Sequence, residues 1–453
     1  MNILLISSNR EMSPYPVFPL GLAFLASPLR AAGHHLQLLD LCFSADTGRD
    51  IDEALARFAP EAIVISIRNI DNVTWPGSRS YVAGIREVVD RCRDRGTVIV
   101  GGSGFSLLPA ELFRYLGADY GVIGEGEEVL IQLIQALAAG GPIPPLPGVL
   151  SGDSGMFLPP LPVARIGTPN RSLFDVGRYR REGGMANVQT KRGCPFTCSY
   201  CTYPLLEGRS VRLRPVGGII AELRELAERH GIDYVYFVDD IFNYPPGFAL
   251  ELCRAMAGAD IGIQWSAFIN PAFMTRELLT AMVAAGCDGV EFGTDSGSPA
   301  MLQSLGKSFH TGHIRESSRL CRDLGVDFAH YLLFGGPGES AETVAESFSL
   351  MDEVDPTAII AMTGIRIYPG TPLHAQAVAE GMLQADVPLL EPVFYISPSL
   401  KESLCDMVRE KALSRKNWIV PGLEVNMSDA MLEALRRFSV RGPLWKLIRR
   451  RTR

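Results

Sequence analysis

Over its first 140 residues the chain alternates short, continuously apolar runs with longer stretches in which apolar positions recur every three to four residues. The runs Ile3-Leu4-Leu5-Ile6, Leu36 to Asp40, Ala62 to Ile67, Val98 to Gly102 and Tyr120 to Gly124 read as strands buried on both faces. The periodic segments near 20–32, 51–58, 78–95, 109–116 and 126–139 read as helices. Strands and helices in strict alternation predict an α/β domain with a doubly wound parallel sheet over 1–140. Such sheets bind ligands outside the carboxyl ends of their strands. Those ends are Ser7-Ser8-Asn9, Ser66 to Asn72 with Arg68 and Asn69, Gly101-Gly102-Ser103-Gly104, and Gly124-Glu125-Gly126.

The alternation breaks at 141–165, where Pro142, Pro144, Pro145, Pro147, Pro159, Pro160 and Pro162 stand among glycines and rule out a long regular element. We take 141–184 as a linker. Strand-then-helix units then repeat, with strands expected near 186–190, 234–239, 264–269, 289–294, 327–334 and 358–367. Six right-handed β-α units over 185–382 can curl into a partial (β/α)6 barrel with its chemistry at the carboxyl ends of the strands. Residues 383–453 form a small mixed segment with a helix near 428–439 and a basic end, Leu444-Trp445-Lys446-Leu447-Ile448-Arg449-Arg450-Arg451, expected as a solvated helix terminus.

Charge and composition narrow the possibilities. A formal net charge of −7 argues against a nucleic-acid partner held on a broad basic face. No run reaches the roughly 18 apolar residues of a membrane span, so no stable membrane insertion is expected. MNILLISSN reads as a buried strand rather than a signal peptide, which points to the cytoplasm. Six of the nine cysteines are scattered through apolar contexts and read as packing residues.

The other three are clustered. Cys194, Cys198 and Cys201 fall within eight residues at spacings of three and two intervening positions. Thiolates from short loops hold iron–sulfur clusters, and a cubane normally takes four. A set one ligand short leaves an iron open. A zinc knuckle is the alternative, but no second CxxC or nearby His completes a tetrahedral site.

Cys-x3-Cys-x2-Cys with Tyr200 before the last cysteine resembles the cluster loop of radical S-adenosylmethionine enzymes. Pro19-Leu20-Gly21-Leu22-Ala23, VGGSG after the fourth strand and IGEGE after the fifth resemble the Rossmann-like cobalamin-binding domain of the cobalamin-dependent branch of that family. The resemblance implies a [4Fe-4S] cluster on the three cysteines, S-adenosylmethionine on its open iron, and cobalamin at the strand ends of the first domain. It places Ser8, Asn9, Gly21, Ser66, Arg68, Asn69, Gly101, Gly102, Ser103, Gly104, Gly124, Glu125 and Gly126 toward cobalamin. Tyr200, Asp240, Glu291, Asp295, Ser296 and Gly336 are placed toward S-adenosylmethionine. Asp295 stands where the family pattern has glutamate, and Gly336-Pro337-Gly338-Glu339 serves equally as a helix cap.

The first loop lacks the histidine of Asp-x-His-x-x-Gly, so no histidine lower ligand to cobalt is expected; His34 and His35 follow a helix end on the opposite edge. Arg68 could occupy the space below cobalt, where a permanent positive charge repels a coordinating ligand. The plainer expectation is that it pairs with Asp71 or a corrin amide, since loop arginines usually find a local acid. The activity implied is methylation of an unactivated carbon of a small molecule through a 5′-deoxyadenosyl radical and methylcobalamin, with electrons from a flavodoxin or ferredoxin. Cyclisation, ring contraction or oxidation on the same cofactors is the alternative. Methylthiotransfer would need further cluster ligands where the first domain offers Cys42 and Cys92, and a cobalamin-binding sensor would leave the cysteine loop without a role. The resemblance also implies that the C-terminal segment closes over the active site.

Overall fold

The computed structural model describes residues 1–152, 159–436 and 440–450. Its first sheet contains β1 (Asn2–Ser7), β2 (His35–Asp40), β3 (Ala62–Ser66), β4 (Thr97–Gly101), β5 (Tyr120–Val122) and β6 (Val149–Ser151), ordered β2-β1-β3-β4-β5-β6. The first five strands are parallel and β6 is antiparallel. β6 comes from the proline-rich stretch: three residues suffice for an edge strand, where proline-flanked backbone is tolerated. Ile3 and Leu5 face one layer of helices while Leu4 and Ile6 face the other, so both faces are dry and the strands read as continuous apolar runs. Cys42 and Cys92 belong to the cores on opposite faces of this sheet.

The second sheet runs β7 (Ala186–Val188), β8 (Tyr234–Phe237), β9 (Gln264–Ile269), β10 (Cys287–Asp295), β11 (Asp327–Phe334) and β12 (Ala358–Thr363), all parallel and in chain order. A short seventh strand, β13 (Trp418–Ile419), adds to β12 from the C-terminal segment. Two residues carry too little periodicity to be seen in the sequence. Outward residues such as Phe237, Ala267 and Phe292 pack under helices and are fully buried. One core joins the two domains through the linker, because Phe18 of the first packs on Phe174 and Tyr179 of the linker and shares its core with Val188 of the barrel.

Polar contacts lock the same interface. The Arg366 guanidinium lies 3.0 Å from Asp71, both buried. Arg192 reaches Glu125 at 3.2 Å and Glu127 at 2.6 Å, and Arg212 reaches Glu125 at 2.6 Å.

The basic end corrects the expectation of a solvated terminus. Leu444, Trp445 and Lys446 are buried, and Trp445 packs on Gly289 at the start of β10, closing the floor of the barrel. Trp445 shares that layer with Ala329, Ala358 and Ile419, so its indole fills the end of the barrel that has no strand-end loops. An earlier part of the segment lies at the mouth: Phe394–Tyr395 pairs with Ile365–Arg366, and the Ser397 amide donates to the Gly335 carbonyl at 2.8 Å. Arg451 lies outside the described residues. No helix among those described is long and apolar enough to cross a membrane.

Candidate active site

The strand ends of the first sheet and the mouth of the barrel enclose a cleft of about 470 Å³. Asn9, Gly21, Ser66, Arg68, Asn69, Gly101, Gly102, Ser103, Gly124, Glu125 and Gly126 line it from the first domain. Asn187, Gln189, Arg192, Thr202, Tyr203, Leu206, Glu207 and Val238 line it from the barrel.

Two residues expected here are used elsewhere. The Ser8 hydroxyl donates to the Ser66 carbonyl at 2.9 Å, tying β1 to β3. Gly104 is buried against the Arg68 carbonyl, 2.9 Å from where a Cβ would stand, so it lets the loop close rather than face a ligand. Glu125 does line the cleft, but its oxygens are taken by Arg192, Arg212 and the Val163 amide. Its role is to clasp the domains.

The cleft suits a large amide-rich cofactor. Gly102 has φ of +103°, and a Cβ there would sit 2.6 Å from the Ile67 carbonyl oxygen. Only glycine fits that turn. The Asn9 amide nitrogen is buried with no protein partner, so a ligand carbonyl can satisfy it. Arg68 does not pair with Asp71, which Arg366 holds; it donates to Asn69 Oδ1 at 2.9 Å. Arg68 keeps water-accessible surface within the cleft, and desolvation there lowers its pKa.

The cysteine loop sits at the carboxyl end of β7. Gly193 has φ of +94°, and a Cβ there would lie 2.2 Å from the Ser210 carbonyl. The Cys194 amide donates to the Gly208 carbonyl and the Gly193 amide to Glu207, each at 3.0 Å, which fixes the loop on the segment that follows it. All three thiols are free. Burial pushes Cys194 up to about 11 and Cys201 up to about 12, and raises Cys198, so ligation must release protons. Among the described residues no three of His, Cys, Asp and Glu converge tightly enough for a single metal ion. The donor set of three thiols without nitrogen or carboxylate suits an iron–sulfur cluster.

Around the loop, Asp295 accepts from Lys307 at 2.7 Å and from the Tyr200 hydroxyl. Lys307 was not foreseen; it is buried and supplies the charge that Asp295 needs. Ser296 turns inward, its hydroxyl 2.9 Å from that of Ser347, and so bonds protein rather than facing the mouth. Gly336 and Gly335 donate their amides to Glu339, whose pKa burial raises to about 7 and whose other oxygen has no partner. Asp239 is consumed by Thr190 and Lys191. Asp240 lines a small recess with Cys194 and keeps one buried oxygen unpartnered. Burial, then Glu207, then Asp239 raise its pKa to about 9.

Glu291 departs furthest from expectation. It lies inside the barrel one layer above the floor, accepting from Trp445 Nε1 at 2.8 Å and Tyr236 at 2.9 Å. The sequence also missed Glu207 and Tyr203. Their nearness to Cys201 was the available signal.

Both parts of the chain are similar to known families. A B12 binding domain model matches residues 9–134 and a Radical SAM superfamily model matches 188–351. An uncharacterized methyltransferase of Pyrococcus horikoshii is 26% identical over 409 residues, covering 87% of each chain. Tryptophan 2-C-methyltransferase of Streptomyces laurentii is 28% identical over 451 residues, 83% of this chain and 74% of that one. The radical S-adenosylmethionine methyltransferase TsrM from Kitasatospora setae, solved with tryptophan substrate and a SAM analog, has the same fold. Its TM-score is 0.89 at 24% identity, covering 100% of this chain and 98% of the other.

Proposed function

Because the chain belongs to the cobalamin-dependent radical S-adenosylmethionine enzymes, we propose that it is a C-methyltransferase acting on an unactivated carbon of a small molecule. One observation carries this reading: Thr202 and Tyr203, the two residues after Cys201, form a wall of the cleft that also holds the first domain's strand ends. Two cofactor places therefore share a wall, and a substrate can meet both. When bound, the cluster, S-adenosylmethionine and cobalamin supply the radical and methyl-transfer chemistry.

The chain's own residues bind, orient and exclude. Cys194, Cys198 and Cys201 would hold the cluster. Asp295, ion-paired with Lys307 and oriented by Tyr200, with Gly336, would bind S-adenosylmethionine at the barrel mouth. Asn9, Ser66, Asn69 and the backbone at Gly101 to Ser103 would grip the corrin side groups. Arg68 projects into the cleft without an acidic partner among the described residues, and would meet cobalamin there as a positive charge in a cleft whose lining holds no histidine. The Glu125–Arg192–Arg212 clasp keeps the domains closed and water out. We place the protein in the cytoplasm, reduced there by a flavodoxin or ferredoxin.

The test supplies the anaerobically reconstituted enzyme with methyl-labelled S-adenosylmethionine and candidate substrates, beginning with tryptophan, which the Streptomyces relative is named for. Label in the product is expected. Turnover of any substrate without label in its product overturns methyl transfer and leaves cyclisation or oxidation.

A further inference from the structure

The barrel is hollow above its floor, and the hollow is built around a carboxylate with no cation. The register of the strands puts Tyr236 of β8, Phe268 of β9, Glu291 of β10 and Tyr331 and Ile360 of β11 and β12 on the inward face. Their outward neighbours Phe237, Ala267, Phe292 and Leu332 are at 0% exposure, packed under helices. Yet Tyr236, Phe268, Tyr331 and Ile360 each keep part of their surface accessible in the middle of a parallel sheet. A barrel interior packed in successive layers would bury them. The layer below is packed: Trp445 fills it against Ala329 and Ala358. The space begins above Trp445; on the cleft side Asn187 and Val238 are wall residues, and Tyr15 of the first domain lies near both Glu291 and Arg68.

Its walls are flat and aromatic. Phe268 stands between Tyr236, ring centroids 6.3 Å apart, and Tyr331, 5.0 Å apart. At its base Glu291 is 1% exposed. Trp445 Nε1 and the Tyr236 hydroxyl each donate to one of its oxygens, and Tyr331 is a third hydrogen-bond partner. Among the described residues no Lys, Arg or His forms an ion pair with it. Three other buried acids near the mouth have counter-charges: Asp239 has Lys191, Asp295 has Lys307, and Glu125 has two arginines, whereas Glu339 and Asp240, like Glu291, have no cation among the described residues. A buried carboxylate is costly without a counter-charge, and aromatic faces attract a cation.

We propose that this chamber is the substrate site and that Glu291 anchors a protonated amine on an aromatic substrate. The proposal rests on the methyl-transfer reading for the identity of the bound molecule as substrate, and goes beyond it in fixing the substrate's chemistry. The amine would take the place beside Glu291 that a lysine takes beside Asp295, and the ring would lie along Phe268 and the tyrosines. The molecule's far end then points up the barrel toward the cleft and the cysteine loop. Glu291 acts as a positioning anchor and exchanges no proton with the substrate.

The test measures binding rather than turnover, so it can fail without touching methyl transfer, and labelled-methyl experiments can fail without touching it. Phenethylamine, phenylpropionate and phenylpropanol share a ring and nearly one length but are cationic, anionic and neutral. Titrated into the cofactor-loaded enzyme and followed by tryptophan fluorescence, the amine should bind at least roughly tenfold more tightly than the acid, the worth of one charge-assisted contact. In Glu291→Gln the amine should lose roughly tenfold while the alcohol changes by less than about twofold, with cluster and cobalamin spectra unchanged. Tyr331→Phe, which keeps the carboxylate, should retain the amine's preference. Failure of the amine to bind, equal binding of the acid in the parent enzyme, or an amine affinity indifferent to Glu291→Gln would each overturn the proposal. The first two readings need no variant to fold.

Discussion

The two halves of the interdomain site are built by opposite means. On the first sheet the cleft is shaped by what is missing: Gly102 has no room for a Cβ, Gly101 would meet the Val122 carbonyl at 3.1 Å, and the few polar side chains are short. At the barrel mouth the work is done by groups with strong chemistry, three thiols and several buried acids, each acid held by a named cation or left with a raised pKa. A cofactor bound by shape needs backbone access, whereas a cluster and its charged co-substrate need ligands and counter-charges. The difference predicts that the two halves fail separately.

The largest effect should come from the barrel side. Replacing Cys194, Cys198 and Cys201 together by Ala should remove iron and cluster absorbance and abolish turnover while cobalamin binding persists; loss of cobalamin with the cluster would show that the halves are one site. Arg366→Ala attacks the join itself. It strands buried Asp71 and should cost about 3–5 kcal/mol in denaturant unfolding, and a cost near zero would mean the domains are held by their shared core alone. Gly102→Val should cost roughly 2–4 kcal/mol through a strained turn and an overlap with Ile67, and should weaken cobalamin retention with iron content unchanged.

The smallest effect is a pH dependence. In the unfolded chain Asp240 ionises near its ordinary 3.8, and in the folded cofactor-free chain near 9. Between those values the native state holds a proton that the unfolded state has lost, so this group lowers stability as pH rises from one to the other. Asp240→Asn should therefore raise the Tm of the cofactor-free protein at about pH 8 and leave it unchanged at about pH 4. An equal Tm at both pH values would show the carboxyl ionised in the fold and paired on the barrel side like its neighbours.

The same contrast explains what could be read from residue order. Three cysteines at ligand spacing are a local pattern, and the loop that carries them needs only Gly193 and the strand before it. Continuous apolar runs and three-to-four periodicity are local too, because they report burial on one or two faces; β1 to β5, the six barrel strands and the main helix after each followed from them, while short helices such as Val176–Gly183 and Pro299–Ser304 and the tail helix Leu404–Leu413 did not. The short strands β6 and β13 did not, since two or three residues have no period. Which acid meets which cation is not local at all.

Arg366 and Asp71 are 295 residues apart, and Trp445 and Glu291 are 154 apart. Only closure of the barrel and its docking on the first sheet bring them together. By itself the sequence determined the two α/β units, the cysteine loop and the absence of a histidine near the first loop, because each rests on neighbours along the chain. The tertiary structure decided that Glu125 clasps rather than binds, that the basic tail plugs the barrel floor, and that Glu291 stands unpaired in a hollow, because burial and counter-charge depend on which distant residues arrive beside each group.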